Sequence, residues 1–328
     1  MTITRRAFSK KLLAAAIGLG APAYLPAAPS PSPPVKESIV ALARSTRLQR
    51  VNHQVDKAAA AEYLSRALVR VAGAPSPTAA WQSLFSAGET VGIKLSCLPG
   101  PPLSSSKGIV MAIVDGLLWA GIKETNIYIW DRSGRELDNA GFKPSNAGIN
   151  IVGTDYYANG GYSPNIEISG SVGTCFSKIM ETVDALICVP VLKDHDLAGV
   201  SIGMKNFYGA IHNPNKFHGN RCDPYVADLC NHPLIKNKWR LTVCDASRVQ
   251  VHNGPAFSPR YAWEYGGLLV GRDPVALDYV GWQIIEERRK ELGLKSLAQE
   301  NREPTYIMSA AKLKLGTFDM KFIRKIEI

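Results

Sequence analysis

Val91-Gly-Ile-Lys-Leu-Ser-Cys97 opens the run that decides the fold. Its apolar residues read as a buried strand, and the chain then alternates. Gly108 to Ala120 is helical and closed by Gly121, Asn126-Ile-Tyr-Ile-Trp130 is a strand, and Phe176 to Val183 is a short helix. Ala185 to Leu192 and Arg240 to Cys244 are two more strands. Strand alternating with helix means an α/β fold with a mostly parallel sheet and helices on both faces. Upstream, Ser38 to Ala43 reads as a first strand, Lys57 to Val71 as an amphipathic helix, and Ser76-Pro77-Thr78 as the start of a short helix carrying Trp81, Leu84 and Phe85. Downstream come a strand at Gly267-Leu-Leu-Val270, a helix from about Pro274 to Leu292 capped by Asp273, and a last helix from Thr305 to Leu315.

The strand exits carry the chemistry. Ile127-Tyr-Ile-Trp130 runs into Asp131-Arg132-Ser133, Ile187-Cys-Val-Pro-Val-Leu192 into Lys193-Asp194-His195, and Leu241-Thr-Val-Cys244 into Asp245, while Lys94 lies near the end of the first strand of the run. In parallel α/β sheets the carboxyl edge is where ligands bind. Four strands delivering ionisable groups to one rim therefore predict a shared cleft. The segments Pro99 to Lys107, Ser133 to Gly148, Tyr156 to Gly173 and Tyr208 to Asn237 are long and rich in Gly, Pro and Asn, and they read as walls around that cleft.

Lys94, Arg132, Lys193, Lys205 and Asn206 are the candidate binding residues for a small anionic molecule. A helix beginning between Gly199 and Gly209 would add its free amides as a second device for an anion. The acid-base candidates are His195 and His212, with Asp194, Asp196, Asp131 or Asp245 as carboxylates able to fix a tautomer or raise a pKa. His195, His212, His218 and Asp223 are also the candidate ligands of a divalent metal, although no i, i+4 helical spacing marks them as such. Asp278 either faces the cleft or closes a turn.

The chain begins with Thr4-Arg5-Arg6-Ala7-Phe8-Ser9-Lys10-Lys11, followed by an apolar run from Leu12 to Ala23. This resembles a twin-arginine export signal, expected over 1–28, with Ser9 where Leu is more usual. About a dozen apolar residues fall short of the roughly 20 that a spanning helix needs, so no stable membrane span is expected once the signal is cleaved. A Pro- and Ser-rich spacer follows at 29–35, and 36–328 is read as a single α/β domain. Export by the twin-arginine machinery, in the folded state and to the periplasm or beyond, is the localisation expected. Cleavage would remove Arg5, Arg6, Lys10 and Lys11, reducing the formal charge from +10 to +6. The remaining surplus has no Lys/Arg block with aromatic neighbours, which argues against nucleic acid as a partner. Six scattered cysteines include no Cys-x-x-Cys, so neither a zinc clamp nor a ferredoxin-type cluster is written in the chain.

Lys193-Asp-His195, Gly203-Met-Lys-Asn-Phe-Tyr-Gly209, Asp245-Ala246 and Gly271-Arg-Asp-Pro-Val-Ala-Leu-Asp278, with Trp130-Asp-Arg-Ser133 and Val91-Gly-Ile-Lys-Leu95, resemble the family catalogued as domain of unknown function 362. The resemblance covers about Val91 to Glu287. Many members carry added ferredoxin-type cysteines, which this chain lacks. The resemblance implies the fold and the site and brings no reaction with it. The function expected is an exported enzyme acting on a small anionic substrate through a Lys/His/Asp cleft, with a divalent metal or redox cofactor as a candidate addition. The alternative is a periplasmic binding protein that captures a metal, cofactor or organic anion without turnover.

Overall fold

The computed structural model describes residues Glu37–Ile328; the expected signal and spacer lie outside them. In chain order the elements are β1 (Ser38–Arg44), α1 (Lys57–Ala72), α2 (Pro77–Leu84), β2 (Val91–Lys94), α3 (Lys107–Trp119), β3 (Ile127–Asp131), α4 (Gly134–Asn139) and β4 (Asn150–Gly153). Then follow β5 (Glu167–Ser169), β6 (Val172–Thr174), α5 (Ile179–Thr182), β7 (Ala185–Cys188), β8 (Val191–His195), β9 (Gly199–Ser201) and α6 (Gly203–Asn206). The chain continues with α7 (Tyr225–Cys230), α8 (Pro233–Lys236), β10 (Trp239–Gln250), β11 (Ala262–Trp263), β12 (Gly267–Gly271), α9 (Pro274–Glu291), α10 (Tyr306–Lys312) and β13 (Ile323–Glu327).

The main sheet has 11 strands, eight of them in the order β13-β1-β12-β10-β7-β2-β3-β4. Pairings β10–β7, β7–β2, β2–β3 and β3–β4 are parallel, while β12 runs antiparallel to both β1 and β10. Period-two alternation along the strands separates two apolar layers. Ala185, Ile187, Leu241, Val243, Leu268 and Val270 face one layer with α1, α2 and α3. Leu186, Cys188, Cys244 and Leu269 face the other, with α7, α9 and α10. Helices on both faces and a mostly parallel sheet are thus as the sequence pattern predicts.

Local signals placed the helix ends. The Asp56 side chain accepts the amide of Ala59 to begin α1, and Gly73 (φ 62°) ends it in a left-handed turn that glycine adopts without a Cβ clash. Asp273 caps α9 through the Ala276 amide, with Pro274 in its first turn, as expected. No described helix is long and apolar enough to cross a membrane.

Two strand expectations require correction, and the edge strand β13 was not expected. The strand read from Ala185 to Leu192 breaks at Pro190, which has no N–H for the ladder, and becomes β7 and β8. β8 continues through Lys193 and Asp194 to His195 and folds back antiparallel on β9. The strand read from Arg240 to Cys244 runs on as the 12-residue β10, so Asp245 lies inside it and not at its exit. β13, on the parallel edge beside β1, is a mostly charged segment with no strand signal in its sequence.

From β2 the chain steps to β3 and β4 on one side, then returns to place β7 on the other side of β2. The carboxyl ends of β2 and β7 therefore flank a topological switch point, where connections diverge and leave a crevice.

Candidate functional site

At that crevice β2 ends in Lys94 and β3 in Asp131. Lys94 Nζ donates to Asp131 Oδ1 at 2.6 Å and to the Leu95 carbonyl at 2.7 Å. Asp131 Oδ2 accepts the Cys97 amide at 2.8 Å, and Oδ1 also accepts the Arg132 amide at 2.7 Å. The side chains of the pair are 1% and 6% exposed. A buried ion pair repays its desolvation only when its remaining lone pairs are satisfied, and here they are. Gly209 closes over it. A Cβ at 209 would lie 2.6 Å from Lys94 Nζ and 3.1 Å from Asp131 Oδ1. Gly209→Ala should therefore push the ammonium out of register and destabilise the protein by about 1–3 kcal/mol, read as a shift in the urea midpoint.

On β8 alternation divides three consecutive ionisable residues between two environments. Lys193 and His195 line the cavity. Asp194, facing away, accepts Arg302 Nη1 at 2.9 Å and the Gly254 amide at 2.9 Å, with Arg289 Nη1 at 3.6 Å. Arg302 also donates to the His195 carbonyl at 3.0 Å and pairs with Glu300, so the C-terminal region staples the strand that presents His195.

Lys205 and Asn206 come from α6. Asn206 Nδ2 lies 3.4 Å from the Lys94 carbonyl and 3.3 Å from Cys188 Sγ, joining the ends of β2 and β7. The two amides that open α6 bond to the fully buried Asp278, Gly203 N at 2.8 Å and Met204 N at 3.1 Å. The helix is four residues long and its amides are taken, so it supplies no anion device and Asp278 acts as its cap.

The resulting cavity, of about 530 Å³, is lined by Lys94, Asp131, Arg132, Lys193, His195, Lys205, Asn206 and His218. Sequence reasoning missed Ser96, Glu136, Ser201 and Tyr208, which also line it. Ser201 could have been found from the hairpin register, since it pairs with Lys193 across β8–β9.

His212, Asp245 and Asp223 are not part of this cavity. Asp245 is wholly buried against Arg50, with Nη2 to Oδ2 at 2.8 Å, and accepts the Ser106 and Ser247 amides, so its carboxylate is a structural anchor. His212 is exposed and meets Tyr162 edge-on at 5.2 Å. Asp223 sits in the turn before α7 with Oδ1 buried and unpartnered. The four proposed metal ligands thus do not converge. Among the described residues no group of three or more His, Cys, Asp or Glu is placed to hold a metal ion.

Two ammonium groups in the cavity lack a carboxylate partner. Lys193 Nζ meets only hydroxyls, Ser96 Oγ at 3.3 Å and Ser201 Oγ at 3.4 Å. Lys205 Nζ lies 3.1 Å from His218 Nε2 and 3.9 Å over the Tyr208 ring. Desolvation pulls each down to about 8, and for Lys193 the charge of Lys205 adds to the effect. Burial, then Lys205 and His218, hold His195 far below the ordinary imidazole value.

The hydrogen bonds fix both tautomers. His218 Nδ1 faces the Pro214 carbonyl at 3.1 Å and must donate to it, leaving Nε2 to accept from Lys205. His195 Nδ1 accepts the amides of Leu197 at 3.2 Å and Ala198 at 3.3 Å, so the neutral ring carries its proton on Nε2. Asp196 Oδ1, 3.0 Å from the same Nδ1, would demand a proton there to make an ion pair. The depressed pKa and the two amide donors favour the neutral ring. Burial raises the Glu136 carboxyl, with Asp131 adding to the shift, and raises the Cys97 thiol well above its usual value, which makes Cys97 a poor nucleophile.

A family model described as domain of unknown function (DUF362) matches residues 91–283. The chain belongs to this family. Among curated proteins nothing matches it. The matched span carries every cavity residue from Lys94 to Pro255. Arg50, which anchors Asp245, and the Arg289–Glu300–Arg302 staple lie outside it. The cavity lining thus belongs to the family segment, and the flanks of this chain brace it.

Proposed function

We propose that the protein is an enzyme acting on a small anionic substrate, which it holds between Lys193 and Lys205. One observation carries this reading: two ammonium groups, 4% and 5% exposed, share one cavity with no carboxylate partner. Buried charges are ordinarily paired, and a ligand that brings the missing negative charge completes the site. Lys94 and Asp131 are already satisfied by each other and fix the floor. Arg132, 38% exposed and 3.8 Å from Glu136, lies at the mouth and helps recruit the anion. His195 is the residue proposed to exchange protons with the substrate. An anion seated beside it offsets the lysine charges that depress its pKa, so its proton affinity rises when the site is filled. With the export expected from Arg5 and Arg6, the enzyme would act outside the cytoplasm.

The test is a calorimetric titration with oxalate, succinate and inorganic phosphate across a range of pH. Both lysines must be protonated to hold an anion. For oxalate, which stays fully ionised through this range, affinity should therefore be flat between about pH 6 and 7 and fall above pH 8, by about tenfold per pH unit for each lysine. Binding that ignores pH between 7 and 10, or none by any of the three anions, would defeat the reading. His195→Gln separates catalysis from capture, since it should keep anion affinity while losing turnover of the bound molecule.

A further inference from the structure

We propose that Lys193 is the nucleophile of the cleft and forms an imine with the carbonyl carbon of a small 2-oxo acid whose carboxylate Lys205 holds. This rests on the anion-binding reading above and adds a ligand class and a covalent step.

Three lysines reach the cavity, and their contacts assign them different work. Lys94 is clamped as a cation by Asp131 at 2.6 Å. Burial lowers Lys205 to about 8 just as it lowers Lys193, but the lone pair of His218 Nε2, 3.1 Å away, accepts its proton and the face of Tyr208, 3.9 Å away, favours positive charge, so its contacts select the ammonium form. Lys193 has neither device. Its two neighbours are the hydroxyls of Ser96 and Ser201, which accept from an ammonium and donate to an amine equally well. Lys193 is therefore the one lysine of the three whose contacts tolerate loss of its proton. Burial beside a second fixed cation is the setting that activates an amine toward carbonyl carbon, and the depressed value of about 8 agrees with that placement. The second cation also orients the substrate, since the carboxylate of a 2-oxo acid is bonded directly to its carbonyl carbon.

The step balances without an oxidant or reductant. Lys193 sheds a proton to cleft solvent, its nitrogen pair forms a bond to the carbonyl carbon, and the C=O π pair moves onto oxygen. The N–H proton of the adduct passes to that oxygen, giving a carbinolamine. A proton then returns to the hydroxyl, the C–O bond breaks and water leaves as the nitrogen pair completes C=N. Ammonium and ketone become iminium and water, with the total charge unchanged.

The experiment is reductive trapping of the folded protein with pyruvate and borohydride at pH 8, followed by peptide mass analysis. The Lys193 peptide should gain the reduced adduct about tenfold or more faster than the exposed Lys290 in the same sample. Lys205→Ala should slow the pyruvate adduct at Lys193 by a similar factor and leave the adduct with uncharged acetaldehyde unchanged. Lys193→Met should abolish the fast adduct. If Lys193 is labelled no faster than Lys290 while oxalate still binds in the calorimeter, the imine is wrong and the anion site stands. If oxalate does not bind either, both fall. An equal loss of the pyruvate and acetaldehyde adducts in Lys205→Ala would overturn the carboxylate role given to Lys205.

Discussion

An Arg50→Ala variant should lose about 3–5 kcal/mol of stability, the cost of leaving one member of a buried ion pair uncompensated. Both side chains of the Arg50–Asp245 pair are fully buried. The guanidinium also ties distant loops together, donating to Ser247 Oγ at 2.7 Å and to the Ser104 carbonyl at 2.8 Å. Without it the Asp245 carboxylate keeps only the Ser106 and Ser247 contacts inside an apolar sheet. The double variant Arg50→Met, Asp245→Asn removes both charges and should recover much of the loss. Urea denaturation of the three proteins decides the matter. A midpoint shift for Arg50→Ala no larger than that of a surface substitution would contradict the anchoring role.

The double variant Lys193→Met, Lys205→Met should fold more stably than the natural protein at pH 7, by about 1–3 kcal/mol, while losing affinity for small anions by a hundredfold or so. Each ammonium has a folded pKa of about 8, below its ordinary value. Below pH 8 the lysines are charged in both folded and unfolded chains, and the folded state bears the desolvation in full. Between about 8 and the ordinary lysine value the unfolded chain binds more protons, so the natural protein gains stability from these two groups as pH rises. The advantage of the variant should accordingly shrink from pH 7 to pH 10. A variant less stable at pH 7, or one that keeps its anion affinity, would show that the lysines serve the core and not a ligand. Stability given up for a charged cleft is a familiar mark of functional sites.

The fold was largely legible because its signals are local. Alternating apolar runs and the Asp273 cap act within one turn or strand. Seven of the nine residues read as acid-base or binding groups, Lys94, Asp131, Arg132, Lys193, His195, Lys205 and Asn206, meet at one cavity. They are legible because the carboxyl edge of a parallel sheet gathers strand ends. The two that fail are instructive. Asp245 looks like a strand exit because Leu241–Cys244 is apolar and a charge follows. Yet the strand continues, and a partner 195 residues earlier in the chain neutralises that charge. His212 looks catalytic by composition, but the loop that carries it turns it outward beside Tyr162.

From the sequence alone came the layering of helices over a mostly parallel sheet, the sheet edge where the ionisable strand ends meet and the residue types available there, because periodicity and capping are written in neighbouring positions. Only the tertiary structure decided which charges are neutralised and which are left facing the cavity. That depends on pairs such as Arg50 with Asp245 and Arg302 with Asp194, on Pro190 dividing β7 from β8, and on the alternation that separates Asp194 from Lys193 and His195. Charge compensation is a property of distance in space, and contacts between residues a hundred or more positions apart leave no periodic trace in the chain.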